Sequence, residues 1–202
     1  MEAPMTHTST AIDTTAQPLR VAVVIGSTRD GRFAPTVGDW FLARVRARPE
    51  LAATVVDVGA ADLPHSFGAP APAVAETQPV LAEADAFVVV TPEYNHSYPG
   101  ALKNLIDLHF AEWQAKPVGF VSYGGLSGGL RAVEHLRGVF AELHAVTVRD
   151  TVSFHNPWNQ LDDTGALITD PATEAAATTL LDQLHWWGEA LRNARATRPY
   201  GK

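Results

Sequence analysis

The chain has 202 residues, 46% of them hydrophobic and 18% charged, a balance that supplies a folded core and excludes wholesale disorder. It contains no cysteine, which removes disulfide frameworks, thiol nucleophiles, cysteine-ligated zinc and iron–sulfur clusters together. The net charge of −7 gives nucleic-acid binding no electrostatic support, and no apolar run reaches the roughly 18–20 residues that span a bilayer.

At about 100–200 residues per domain the length fits one domain with loose ends. Met1 to Pro18, rich in Thr and Ala, lacks the basic start and apolar block of a signal peptide. It reads as a flexible tail on a cytoplasmic protein, with the folded domain over 19–195 and a short tail over 196–202. Leu19 to Ile25 (LRVAVVI) predicts a strand ending at Gly26. Val37, Trp40, Phe41 and Val45 recur at three- and four-residue steps and predict an amphipathic helix over Ala34 to Arg48. Ala53 to Val58 is a second strand, the proline-rich Leu63 to Pro72 a loop, and Thr77 to Ala84 a short helix. Ala86 to Thr91 (AFVVVT) is the most strand-like run in the chain. A helix over Gly100 to Phe110 follows, with Pro99 at its first turn. Pro117 to Ser122 is the fourth strand, and a glycine-rich turn leads into a helix over Leu130 to Leu143. Val146 to Val148, extended to Phe154, is the fifth strand; a loop over His155 to Asp170 and a helix over Ala172 to Ala194 complete the pattern.

Strands alternating with helices give an α/β domain with a parallel sheet, and continuously apolar runs such as AVVI and FVVV fit strands covered on both faces. With strand order 2-1-3-4-5, ligands bind beyond the carboxyl ends of strands one and three, where the order reverses. The loops after those strands are Gly26 to Phe33 (GSTRDGRF) and Pro92 to Gly100 (PEYNHSYPG). The loop after strand four, Tyr123 to Gly129 (YGGLSGG), joins them on the same rim.

The first loop places Ser27, Thr28, Arg29 and Arg32 at a helix start, where unpaired N–H groups and the helix dipole suit a phosphate. It contains neither GxxxxGK[ST] nor GxGxxG, so a single phosphate is favoured over a triphosphate or dinucleotide. The plain alternative is a strand-to-helix turn with solvated arginines. In the second loop Pro92, Glu93, Tyr94 and Asn95 can fix an irregular backbone that meets the polar edge of a flat heteroaromatic ring. Glu93 reads more readily as a capping or salt-bridging carboxylate than as a base, and His96 as an exposed loop histidine than as a general acid. Glycines 124, 125, 128 and 129 serve either close backbone approach to a ligand or a tight turn. His155, Asn156, Pro157 and Trp158 form a further polar–aromatic loop, structural or at a subunit contact. The eight histidines are scattered without metal-ligand spacing, and GLSGG has the wrong register for a nucleophile elbow, leaving Ser127 as a turn residue.

GSTRDGR, TPEYNHSYPGALKNLID and SYGGLSGGLRAVEHLR, in that order, resemble the NAD(P)H-dependent FMN reductases, a group that includes quinone, azo and chromate reductases. The resemblance extends over Arg20 to Leu191. It implies a flavodoxin-like three-layer α/β/α fold with a five-stranded parallel sheet of order 2-1-3-4-5. It also implies FMN as cofactor, with Ser27, Arg29, Arg32, Phe33 and Ala34 around the ribityl phosphate. Phe33 stands where a small or polar residue is expected, so its contact is expected through the backbone. Pro92, Glu93, Tyr94 and Asn95 would border the isoalloxazine, and Ser122, Tyr123, Gly124 and Gly125 would close its other side. NAD(P)H would pass hydride to flavin N5, and a quinone or similar small acceptor would then take the electrons, with no catalytic side chain required. Homodimers, some paired into tetramers, are implied too, with the helix from Gly100 and residues near the second and third motifs at the interface. The alternatives are a flavin reductase releasing reduced FMN to a partner monooxygenase, a flavodoxin-type electron carrier, and a degenerate phosphate sensor.

Overall fold

The computed structural model describes residues 17–64 and 71–201. The expected N-terminal tail, apart from Gln17 and Pro18, and part of the proline-rich loop lie outside the described residues. The sheet is built from β1 (Leu19–Ile25), β2 (Leu51–Asp57), β3 (Ala86–Pro92), β4 (Pro117–Gly124), β5 (Val146–Thr147) and β6 (Val152–His155). All neighbours are parallel, in the order β2-β1-β3-β4-β5, with β6 also against β4. This is the three-layer flavodoxin-like arrangement that the sequence implies.

Side-chain alternation explains the layering, since successive residues of a strand point to opposite faces. Val21, Val23 and Ile25 of β1 join one core with Val37, Phe41 and Val45 of α1 (Ala34–Arg46) and Leu180, Leu181 and Leu184 of α5 (Pro171–Thr197). Ala22 and Val24 face the other core, with Leu81 of α2 (Pro72–Glu83), Leu102, Leu105 and Ile106 of α3 (Gly100–Leu108), and Leu136 and Phe140 of α4 (Leu130–Glu142). Burial on both faces is why β1, β3 and β4 are nearly free of polar residues. No helix among the described residues is long and apolar enough to cross a membrane.

Three elements differ most from the sequence expectation, the other bounds shifting by two residues or fewer. The helix α2 begins five residues earlier than Thr77. Pro72 is tolerated in its first turn, whereas Pro79 removes a helical N–H donor and crowds the carbonyl four residues back; Thr77 Oγ1 donates to the Ala73 carbonyl (2.8 Å). The fifth strand is broken: β5 pairs with Pro117 and Val118, β6 with Val121 to Gly124. Between them Arg137 of α4 donates to the carbonyls of Val148 and Arg149 (2.8 Å each), drawing the chain off the ladder at its charged Arg149–Asp150 step. The helix α5 continues to Thr197, past the expected boundary at residue 195.

Candidate functional site

The strand register brings the three motif loops to one edge. Ile25 aligns with Val90, Pro92 with Tyr123, and Gly124 with His155. Backbone bonds carry the ladder a step beyond the strands: Gly26 N–H donates to Val90 O (2.9 Å), Glu93 N–H to Tyr123 O (3.0 Å) and Asn156 N–H to Gly124 O (2.7 Å). The loops therefore leave the sheet together, at the order reversal between β1 and β3.

In the first loop Ser27 is fully buried, and its Oγ has no hydrogen-bond partner among the described residues. A buried hydroxyl left unpaired costs about 1–3 kcal/mol, so it marks a position where a ligand acceptor is missing. Seven residues on, α1 starts with no side-chain cap and no acidic residue in its first turn, so its free amides and dipole face the same loop without competition. Arg29 is exposed, with its guanidinium 5.4 Å from the centre of the Tyr94 ring. A buried hydroxyl, open helix amides and an exposed cation match a phosphate monoester.

Arg32 is placed differently from Arg29. Its guanidinium forks onto Asp57 at the end of β2 (Nη1–Oδ1 2.5 Å, Nη2–Oδ2 2.6 Å), and Nη1 also donates to the Ser27 carbonyl (2.8 Å). Burial alone would raise the Asp57 carboxyl, but the Arg32 fork and the Gly59 N–H outweigh it and hold it below the usual carboxylate range. Phe33 turns its ring toward Tyr123 (centroids 6.1 Å apart) and Ala34 is buried, which leaves both to meet a ligand through the backbone.

The second loop folds into a tight hairpin. Tyr94 and Ser97 exchange backbone hydrogen bonds (2.8 and 3.0 Å), while Asn95 (φ 48°) and His96 (φ 72°) both occupy the left-handed region, the pattern of a type I′ turn. Glycine is the usual occupant of the second position, so His96 holds strained backbone at the rim. Pro92 is buried. The Glu93 carboxylate is fully engaged: it accepts from Ser127 Oγ, from Arg131 N–H (3.3 Å) and from the Arg131 guanidinium (3.1 Å). Burial pushes against ionisation, yet these donors hold Glu93 below the ordinary glutamate range. It is a structural tie between the second and third loops, not a base. His135 of α4 meets Ser97 Oγ through Nδ1 (3.0 Å) and lies 6.2 Å, ring to ring, from His96.

The third loop is fixed from beneath. Ser122 Oγ and Ser153 Oγ both donate to the Gly128 carbonyl (2.9 Å each). Gly128 and Gly129 have φ of 60° and 86°, and a Cβ on Gly129 would lie 2.7 Å from the Ser122 Cβ. These two glycines serve the turn. Gly124 and Gly125 have ordinary φ; at Gly125 the nearest atom to a Cβ is 3.7 Å away. Burial pushes the Tyr123 phenol up to about 12; the Ser27 hydroxyl eases that rise from nearby but lies outside hydrogen-bonding geometry. The His155–Trp158 segment braces this turn, through the Asn156 amide and through His155 packed at Gly128.

All thirteen residues expected around the cofactor stand at this rim, but the side chains of Arg32, Glu93 and Ser122 are committed to protein partners. Sequence reasoning missed Asp57, Gly59 and Arg131. A lone acid next to last in the apolar run ATVVDV, at the ligand-facing end of a strand, was the available signal for Asp57.

The sequence model of the family described as NADPH-dependent FMN reductase matches residues 19–159. The chain is 32% identical over 182 residues to the probable NADPH:quinone oxidoreductase 2 of Oryza sativa subsp. japonica, covering 83% of this chain and 88% of that protein. It is 30% identical over 183 residues to the 2-hydroxy-1,4-benzoquinone reductase of a Burkholderia species, covering 84% and 96%. Among solved structures, FerB, a flavoenzyme NAD(P)H:(acceptor) oxidoreductase from Paracoccus denitrificans, superposes with a TM-score of 0.68 at 26% identity, covering 85% of this chain and 98% of that one.

Proposed function

The chain belongs to the NADPH-dependent FMN reductase family and is an oxidoreductase; from that premise we propose that it holds FMN at the rim of β1, β3 and β4 and reduces a quinone or similar small acceptor with NAD(P)H. Bound there, FMN supplies two-electron chemistry between the nicotinamide and the acceptor. The observation that carries the reading is the buried, unpartnered Ser27 hydroxyl beside the uncapped start of α1.

In this reading Ser27 Oγ and the amides of Phe33 and Ala34 receive the phosphate, with Arg29 closing over it from the solvent side. The backbones of Pro92 to Asn95 and of Tyr123 to Gly125 line the ring, and the Glu93 side chain is tied back to Ser127 and Arg131. Tyr123, with its phenol pushed up to about 12, stays protonated across neutral pH and acts only as a neutral wall and donor. Glu93 stays ionised but spent on Ser127 and Arg131, which fits chemistry that needs no carboxylate base. A cytoplasmic homodimer belongs to the same reading; the exposed Leu126, Leu130 and Trp158 beside the site support burial against a second copy.

The test is the visible spectrum of the purified protein, before and after NADPH under anaerobic conditions. A flavin spectrum that bleaches and returns with a benzoquinone is the expected result. A colourless protein that reduces added FMN would make the flavin a substrate. Failure to bind or reduce added FMN would overturn the proposal.

A further inference from the structure

We infer that Arg32 and Asp57 form a positioning pair that sets the shape of the phosphate loop from behind, and that Arg32 does not itself contact the phosphate. The inference rests on the FMN reading above and goes beyond it by assigning the two arginines of GSTRDGR opposite roles. Three observations carry it.

First, three of the five Arg32 N–H donors, including both of Nη1, are taken by Asp57 and the Ser27 carbonyl. Nη1 serves both Asp57 Oδ1 and the Ser27 carbonyl, and Nη2 serves Asp57 Oδ2. A bidentate guanidinium–carboxylate pair is geometrically specific, and its charge is neutralised where it stands. Second, the surroundings are shaped to it. A Cβ at Gly59 would lie 2.6 Å from Arg32 Nη1 and 3.0 Å from the Ser27 carbonyl oxygen, so a glycine backbone admits the fork, and the Gly59 N–H donates to Asp57 Oδ1 (2.9 Å). Third, the bond to Ser27 falls on the carbonyl of the residue whose hydroxyl is buried and unpaired. Arg32 therefore fixes the peptide that aims Ser27 Oγ. The tie crosses from the loop after β1 to the end of β2, so the loop's curvature is set by the neighbouring strand and not by its ligand.

The test is a double-mutant cycle on FMN affinity using Asp57→Asn, Arg32→Gln and the double variant, with riboflavin, which lacks the phosphate, as the second ligand. Each single variant is expected to raise the FMN dissociation constant about ten- to a hundredfold, in line with losing charge-assisted hydrogen bonds. The double variant should do no worse than either single one, because both changes undo one device. Riboflavin affinity should move less than threefold, a separation that general loosening of the fold would not produce. The overturning results are FMN affinity that is unchanged or tighter in Asp57→Asn, as expected if freeing Arg32 lets it reach the phosphate, or losses that add in the double variant. Arg32→Lys serves if Arg32→Gln fails to fold, and should lose FMN affinity while keeping riboflavin. If the unaltered protein binds no FMN, the flavin reading itself falls and takes this inference with it, which separates the two failures.

Discussion

Replacing Ser27 with Ala should change two quantities in opposite directions. In the ligand-free protein the Ser27 hydroxyl is buried without a partner, a penalty of about 1–3 kcal/mol, and alanine removes it. The oxygen leaves a void smaller than a methyl group, which costs less than about 1 kcal/mol. The net expectation is a flavin-free protein stabilised by about 1–2 kcal/mol, or roughly 3–6 °C in melting temperature for a chain of this size. With FMN the sign reverses, because a hydroxyl donating to a charged phosphate is worth about 1.5–3 kcal/mol, a loss of about ten- to a hundredfold in affinity. Thermal unfolding of the stripped protein and quenching of FMN fluorescence on titration measure the two effects separately. A variant that melts lower without flavin, or that binds FMN as tightly as before, would refute the assignment of Ser27 to the phosphate.

Gly129→Ala should destabilise the fold by about 2 kcal/mol or more through its left-handed backbone and its clash with Ser122, whereas Gly125→Ala should stay within about 0.5 kcal/mol; denaturant unfolding compares them. Burial pushes the Lys116 ammonium, which is 6% exposed, down to about 8. Between that value and the 10.5 of the unfolded chain, the unfolded state binds more protons, so this residue makes stability rise with pH, by about 3 kcal/mol in all. Lys116→Met should flatten that rise in melting temperature between pH 8 and 10. Leu126→Glu, on a side chain 88% exposed beside the site, should shift the protein toward monomer in sedimentation equilibrium; an unchanged mass would remove that residue from the subunit contact.

The sheet was legible because burial on both faces forces β1, β3 and β4 into apolar runs that little else in the chain imitates. The rim was legible for a different reason: glycine-dense, polar–aromatic loops at strand ends are too elaborate for connectors. What escaped the sequence depends on reach across it. Arg32 looks like a phosphate ligand until Asp57, 25 residues away, is seen to hold it. Ser127 looks like a plain turn residue until Glu93 arrives from the loop after β3. The break between β5 and β6 comes from Arg137 on another layer, and the early start of α2 from Pro72, which a helix's first turn accepts.

The tie from Glu93 to Ser127 and Arg131 has a consequence for how the two ring-facing loops exchange with solvent. With one carboxylate bonded to a hydroxyl, an amide and a guanidinium across the gap, neither loop loosens without costing the other its bonds to that carboxylate. The amides of the Tyr94–Ser97 hairpin and of the first turn of α4 should therefore exchange hydrogen as one cooperative unit. Transplanting either loop alone from a relative should fail where moving both together succeeds.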